Sequence, residues 1–151
     1  MDARYLYRGT TEGWPGNPVL EEQQITCTTT DPLVATLFAV ECRNHGRAII
    51  LAARRDRFEN LIGPRNVFED IESAINLSCS PIEFAEQAEF VLEVDRAIDI
   101  LRDLGFEDVP VRLKGTTILQ QEIGETHSLG MRLNKEQLDQ FNARLSEVSY
   151  D

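Results

Sequence analysis

Apolar positions along the chain fall into short runs with two distinct periods. Arg4 to Arg8 alternates aromatic and aliphatic residues with polar ones and predicts a strand ending at Gly9. Gly13-Trp14-Pro15-Gly16-Asn17-Pro18 is dense in breakers and predicts a loop. Ile25 to Thr30, rich in β-branched residues, is extended. Asp31-Pro32 then offers an N-cap and a proline at the first helical position. Leu33, Val34, Leu37, Phe38 and Val40 give the helix that follows a broad apolar face, and Asn44 to Gly46 ends it. Ala48 to Ala53 predicts a buried strand. Asn66 to Ile75 has a weaker helical pattern and leads into a loop at Asn76 to Pro81. Ala88 to Val94 reads as a strand with Ala88, Phe90, Leu92 and Val94 on one face.

In the last third, Arg96 to Leu104 is helical and closes at Gly105, and Val109 to Gln120 predicts one or two strands. Asn134 caps a final amphipathic helix carrying Leu138, Phe141, Leu145 and Val148. Strands and helices do not alternate as a doubly wound sheet requires, so the expected class is α+β. With 151 residues, a single domain spanning 1–151 with its own core is expected.

Charge sharpens this outline. Lys and Arg number 15 against 26 Asp and Glu, a formal charge of −11. Such a field disfavours sequence-independent nucleic-acid binding and anionic membranes. The acidity is concentrated: residues 1 to 57 are balanced, whereas 69 to 108 hold twelve acids against Arg96 and Arg102. No apolar stretch reaches the roughly 20 residues of a membrane helix. The amino terminus lacks a signal-peptide core, so a cytoplasmic protein is expected, unless a dedicated machine exports it. Cys27, Cys42 and Cys79 form no Cys-x-x-Cys pair and are expected to be reduced thiols. With only His45 and His127 beside them, no metal site is expected.

Three short segments carry candidate chemistry: Tyr7-Arg8-Gly9-Thr10 at a strand end, Thr28-Thr29-Thr30-Asp31-Pro32 before a helix, and Gln87-Ala88-Glu89 at a strand start. In that order they resemble the Arg–Ser/Thr–Glu class of ADP-ribosyltransferases, toxin-type enzymes that split NAD and pass ADP-ribose to an acceptor. The resemblance runs from Tyr7 to about Val94. It places Arg8 and Gly9 on the aromatic-Arg-Gly motif, Thr28 and Thr30 on the two serines of a Ser-Thr-Ser motif, and Gln87 and Glu89 on a Gln-x-Glu motif. Phe84, three residues before Gln87, falls where such enzymes carry an acceptor-contacting aromatic. The resemblance implies two packed antiparallel sheets with flanking helices and NAD as co-substrate. It also implies a mono-ADP-ribosyltransferase or NAD glycohydrolase acting as a bacterial or phage toxin or effector, with an immunity or antitoxin protein as a possible partner.

The chemistry stands beside the resemblance. Breaking the bond between nicotinamide and ribose develops positive charge on the sugar, which a carboxylate such as Glu89 stabilises. Gln87, two residues earlier on the expected strand, would share its face and position the acceptor. Arg8 matches phosphate geometry, and the hydroxyls of Thr28 and Thr30 would order the site. A protein acceptor is favoured over nucleic acid because the surroundings are acidic. The reading from a different class is a non-catalytic interaction protein, a fold relative, antitoxin or inhibitor, whose acidic face binds a basic partner. A Glu86 and Glu89 carboxylate pair on a helix is disfavoured by the strand pattern, and Ser78 and Ser80 lack an evident base. The segment from Gly9 to Gly16 matches no phosphate-cradling loop.

Overall fold

A computed structural model describes residues 4–11, 25–41, 46–63, 74–107, 109 and 133–149. It has the expected α+β character: one five-stranded antiparallel sheet flanked by helices. The strands are β1 (Tyr5–Thr11), β2 (Thr26–Thr29), β3 (Ala48–Arg54), β4 (Ala74–Leu77) and β5 (Phe90–Glu93), in the spatial order β4-β2-β1-β3-β5. The helices are α1 (Pro32–Glu41), α2 (Pro81–Glu86), α3 (Val94–Asp103), α4 (Lys135–Ala143) and α5 (Leu145–Val148), and a 3-10 segment covers Arg55–Leu61.

The expectation of two packed sheets is corrected: among the described residues there is a single sheet, and helices rather than a second sheet cover it. Strand alternation sends neighbouring residues to opposite faces, and each face has its own core. Tyr5, Tyr7, Ile50, Ala52 and Leu92 face α1, α3 and α4, whose Leu33, Ala35, Ala39, Ile98, Leu101 and Phe141 complete the larger cluster. Leu6, Ile49, Leu51, Ala53 and Leu77 face the other way, against Phe58 of the 3-10 segment and Phe84 of α2. Both faces being apolar explains why Ala48 to Ala53 reads as an unbroken hydrophobic run.

Gly9 does not end β1, as the pattern suggested, but lies inside it. A Cβ there would stand 2.1 Å from the carbonyl oxygen of Ala35 and 2.5 Å from the nitrogen of Ala39. Helix α1 therefore crosses β1 at backbone contact distance, and only glycine admits it. The start of α1 follows its sequence signal: Asp31 Oδ1 accepts a hydrogen bond from Leu33 N at 2.8 Å, ahead of Pro32 in the first turn. Gly105, at φ +107°, closes α3 as expected. Asn134 and Gln137 form a reciprocal capping box at the head of α4.

Two expectations between these points need correction. Ala74 and Ile75 belong to a strand and not to a helix, and the strand continues through Asn76 and Leu77, because Ile75 and Asn76 pair with Thr28 and Cys27 of β2. Between the expected loop at Asn76 to Pro81 and the expected strand at Ala88 to Val94 lies α2, and the strand is shorter than expected: Ala88 and Glu89 form the bend into β5, which runs only from Phe90 to Glu93. The rest of the predicted helix, 66–73, and the predicted strands from Pro110 to Gln120 lie outside the described residues, as do Trp14, Cys42, His45 and His127. No helix among the described residues is long and apolar enough to cross a membrane.

Candidate functional site

Arg8 and Thr28 are neighbours. The register pairs Tyr7 with Thr29 in antiparallel strands, so Arg8 and Thr28 lie opposite one another and share the sheet face of Leu6. Arg8 is half-buried and its Nη1 donates to the carbonyl oxygen of Cys27 at 2.9 Å. Thr28 is buried, and its hydroxyl donates to the carbonyl oxygen of Ile75 at 2.9 Å, tying β2 to β4. Thr30 follows at the bend after β2, half-buried. Gly9 faces α1 on the opposite side of the sheet from Arg8.

Glu89 and Gln87 occupy a different neighbourhood. Gln87 is the C-cap of α2, and Glu89 lies in the bend that carries the chain into β5; its backbone N–H donates to Ala52 at 2.8 Å. The expectation that both share one strand face is therefore corrected, since strand alternation starts only after them. Ala88 and Val91 both pack against the smaller core while Phe90 packs against the larger one, as a bend at Glu89 requires. Both Gln87 and Glu89 are exposed. Strand β3 separates the strand of Arg8 from that of Glu89, about 10 Å across at ordinary strand spacing.

Phe84 is fully buried, its ring 5.2 Å from that of Phe58. The expectation that it meets an acceptor is corrected: an aromatic on the inner face of a short amphipathic helix fills the core between helix and sheet. A sequence signal for α2 exists in Ser80-Pro81-Ile82-Glu83, a capping-box pattern with proline at the first helical position. Ser80 Oγ accepts from Glu83 N at 3.2 Å.

Arginines and acids share the neighbourhood of Glu89. It lies close enough to the Tyr5 hydroxyl to act on it: burial raises the Tyr5 pKa, Glu89 raises it further, and Arg4 and Arg54 lower it. The Arg4 guanidinium stands over the Tyr5 ring, 5.9 Å from its centroid. Arg54 pairs with Asp56 at 2.8 Å, both exposed. Arg57 Nη1 donates to Gln87 Oε1 at 3.1 Å. A groove of about 460 Å³ opens beside them, lined by Arg57, Phe58, Leu61, Cys79, Glu83, Glu86 and Gln87. Among the described residues no group of three or more His, Cys, Asp or Glu is placed to hold a metal ion.

The structure thus joins Arg8 to Thr28, and Gln87 to Glu89, and keeps the two pairs apart on one sheet. Sequence reasoning missed Tyr5, Arg4, Arg54 and Arg57, because strand pairing and a 3-10 turn, not proximity in sequence, assemble them around Glu89. Comparison of the chain with protein-family models, with curated proteins and with solved structures gave no match.

Proposed function

We propose that the chain is a mono-ADP-ribosyltransferase that cleaves NAD and transfers ADP-ribose to a macromolecular acceptor, a protein in preference to a nucleic acid. The observation that carries this reading is an exposed carboxylate, Glu89, two residues after an exposed amide, Gln87, in a turn flanked by arginines. A ligand arriving from solvent can reach both groups. Glu89 would hydrogen-bond a ribose hydroxyl and stabilise the positive charge that builds on the sugar as nicotinamide departs. Gln87, neutral at any working pH, would orient the attacking group with its donor and acceptor atoms. The resemblance assigns NAD binding to Arg8, Gly9, Thr28 and Thr30. Arg8 and Gly9 lie on β1, Thr28 on β2 and Thr30 at the bend after it, while Glu89 lies in the bend before β5 of the same sheet.

Nicotinamide release from NAD tests the reading. Glu89→Gln, an exposed and nearly isosteric change, is expected to lower the rate by about 100-fold or more, the scale of losing one electrostatic stabiliser. Gln87→Ala is expected to reduce transfer while sparing hydrolysis. Equal rates for wild type and Glu89→Gln would reject the assignment.

A second reading has its own observation. Helix α3 buries Val94, Ala97, Ile98, Ile100 and Leu101 and leaves Asp95 and Asp99 in solvent beside Arg96 and Arg102, with Asp103 paired to Arg144; the two aspartates are what would meet a basic partner. On that reading the chain binds without catalysis. Charge reversal on α3 would then abolish binding, and Glu89→Gln would change nothing.

A further inference from the structure

Tyr5 opens β1, and its ring does not stay over its own strand. Strands two apart lie about 10 Å from each other, yet the ring centroid of Tyr5 on β1 stands 5.9 Å from that of Phe90 on β5, with β3 between them. The two rings therefore lean toward each other over β3, where Ala52, paired with both Tyr7 and Phe90, is small enough to leave the room. The start of β5 is held to the same residue, because Glu89 N donates to the Ala52 carbonyl oxygen at 2.8 Å. The tilt carries the Tyr5 hydroxyl toward the bend of Glu89, whose charge reaches it. Tyr5 as a whole is only 8% exposed, and a phenol so enclosed ordinarily spends its hydroxyl on a protein partner. Tyr7, on the same strand face, does so with Asn142. Among the described residues the Tyr5 hydroxyl has no hydrogen-bond partner, and neither has the Glu89 carboxylate.

We propose that Tyr5 is a ligand-binding residue: its hydroxyl and the Glu89 carboxylate grip one sugar hydroxyl from two sides. That the sugar is the ribose next to nicotinamide rests on the NAD reading above; that the two groups converge rests on the packing of Tyr5 over β3. Their chemistry is complementary. An ionised carboxylate only accepts, a phenol donates, and a sugar hydroxyl does both, so one hydroxyl set between them satisfies all three groups. The groups facing the phenol are Glu89, Arg4 and Arg54, with the Tyr7 ring beside it, 6.4 Å between centroids. Burial and Glu89 raise its pKa, the two arginines lower it, and the net direction is upward. The phenol therefore keeps its proton and remains a donor at neutral pH. Phe90, edge-on, and the Arg4 guanidinium, 5.9 Å from the ring centre, hold the ring in this pose. Arg8, Gly9, Thr28 and Thr30 keep the NAD-binding assignment made above.

Two measurements on the full chain test this. The first follows the ultraviolet absorbance of ionising tyrosines, in which Tyr5→Phe identifies the Tyr5 step and Tyr7 ionises far above the ordinary range. Removing the charge in Glu89→Gln is expected to move the Tyr5 step downward, since Glu89 holds it up. The second is calorimetric titration with ADP-ribose and with ADP, which lacks the second ribose. Tyr5→Phe keeps the ring contacts and loses only the hydroxyl. It is expected to weaken ADP-ribose by about threefold to tenfold, the loss of one hydrogen bond, and ADP by less than about twofold. A Tyr5 step that ignores Glu89→Gln overturns the pairing, and so does a wild type that does not bind ADP-ribose. Equal weakening of ADP-ribose and ADP in Tyr5→Phe sets the hydroxyl away from the ribose and overturns it too. Tyr5-dependent binding of ADP-ribose, in a chain that releases no nicotinamide, would support the pair and sink the transferase reading. Nicotinamide release that needs Glu89 but ignores Tyr5→Phe would do the reverse.

Discussion

Phe84 and Tyr7 show how single side chains hold the two faces of the sheet. Phe84, on α2, has no exposed surface and fills the space over Leu51 and Ala53 with Phe58. Phe84→Ala is expected to cost about 3–5 kcal/mol in urea denaturation, because a cavity remains where backbone cannot collapse. A loss below about 1 kcal/mol would return the ring to a surface role. Tyr7 is fully buried on the other face, with its hydroxyl donating to Asn142 Oδ1 of α4 and its ring edge-on to Phe141 at 5.9 Å. Burial raises its pKa far above the ordinary 10.0, and burial raises the Cys27 and Cys79 thiols above 9.0. The folded state therefore keeps protons that the unfolded chain releases at those values. This stability is complete below pH 9, begins to fall as pH rises above 9, and falls more steeply above 10. Denaturation midpoints measured across that range should decline, with Tyr7→Phe removing much of the steeper part and the raised Tyr5 hydroxyl supplying what is left. At this scale the sequence was legible for Arg8 beside Thr28, since both sit on recognisable strands. It was not for Phe84, because an aromatic three residues before a Gln-x-Glu carries the same letters in a core as on a surface.

Elements with caps in their sequence were the readable ones. Asp31 before α1, Gly105 after α3 and Asn134 before α4 each place a side chain or a glycine where orphaned backbone groups need one. Helix α2 carries the same kind of signal at Ser80, and Ser80→Ala is expected to cost about 1 kcal/mol, read from the urea midpoint. Because α2 ends at Gln87, loosening it should also blunt any activity that depends on the turn to Glu89. Loss of stability without loss of activity would separate the two. Strand β4 was not legible: its four residues include a buried Asn76 and alternate weakly, and what makes them a strand is the β2 ladder that their own sequence does not announce. The bend at Glu89 was hidden for a related reason. Ala88 to Val94 alternates cleanly on paper, but Val94 already begins α3, and Gln87 still belongs to the end of α2.

For the molecule as a whole, the charge asymmetry read from composition takes a spatial form. Acids face outward along α3, while the arginines that balance the first 57 residues gather in part at one end of the sheet. Exposed pairs such as Arg144 with Asp103, at 2.8 Å, and Arg47 with Glu93 join distant segments but each adds at most about 1 kcal/mol. The apolar clusters on both sheet faces supply most of the cohesion. Both rims of the sheet are also occupied by the chain itself. Leu61 to Gly63 lies along β4, with Gly63 N donating to Asn76 and Ser78 N donating to Leu61, each at 2.7 Å. On the other rim Val91 N donates to Ser149 Oγ at 2.9 Å. Rim groups already bonded to the chain itself are withdrawn from pairing with the strand of a second chain. Cutting the chain after Val148 should remove that protection on the β5 side, and static light scattering of the shortened protein would register growing fibrous assemblies where the intact protein stays dispersed.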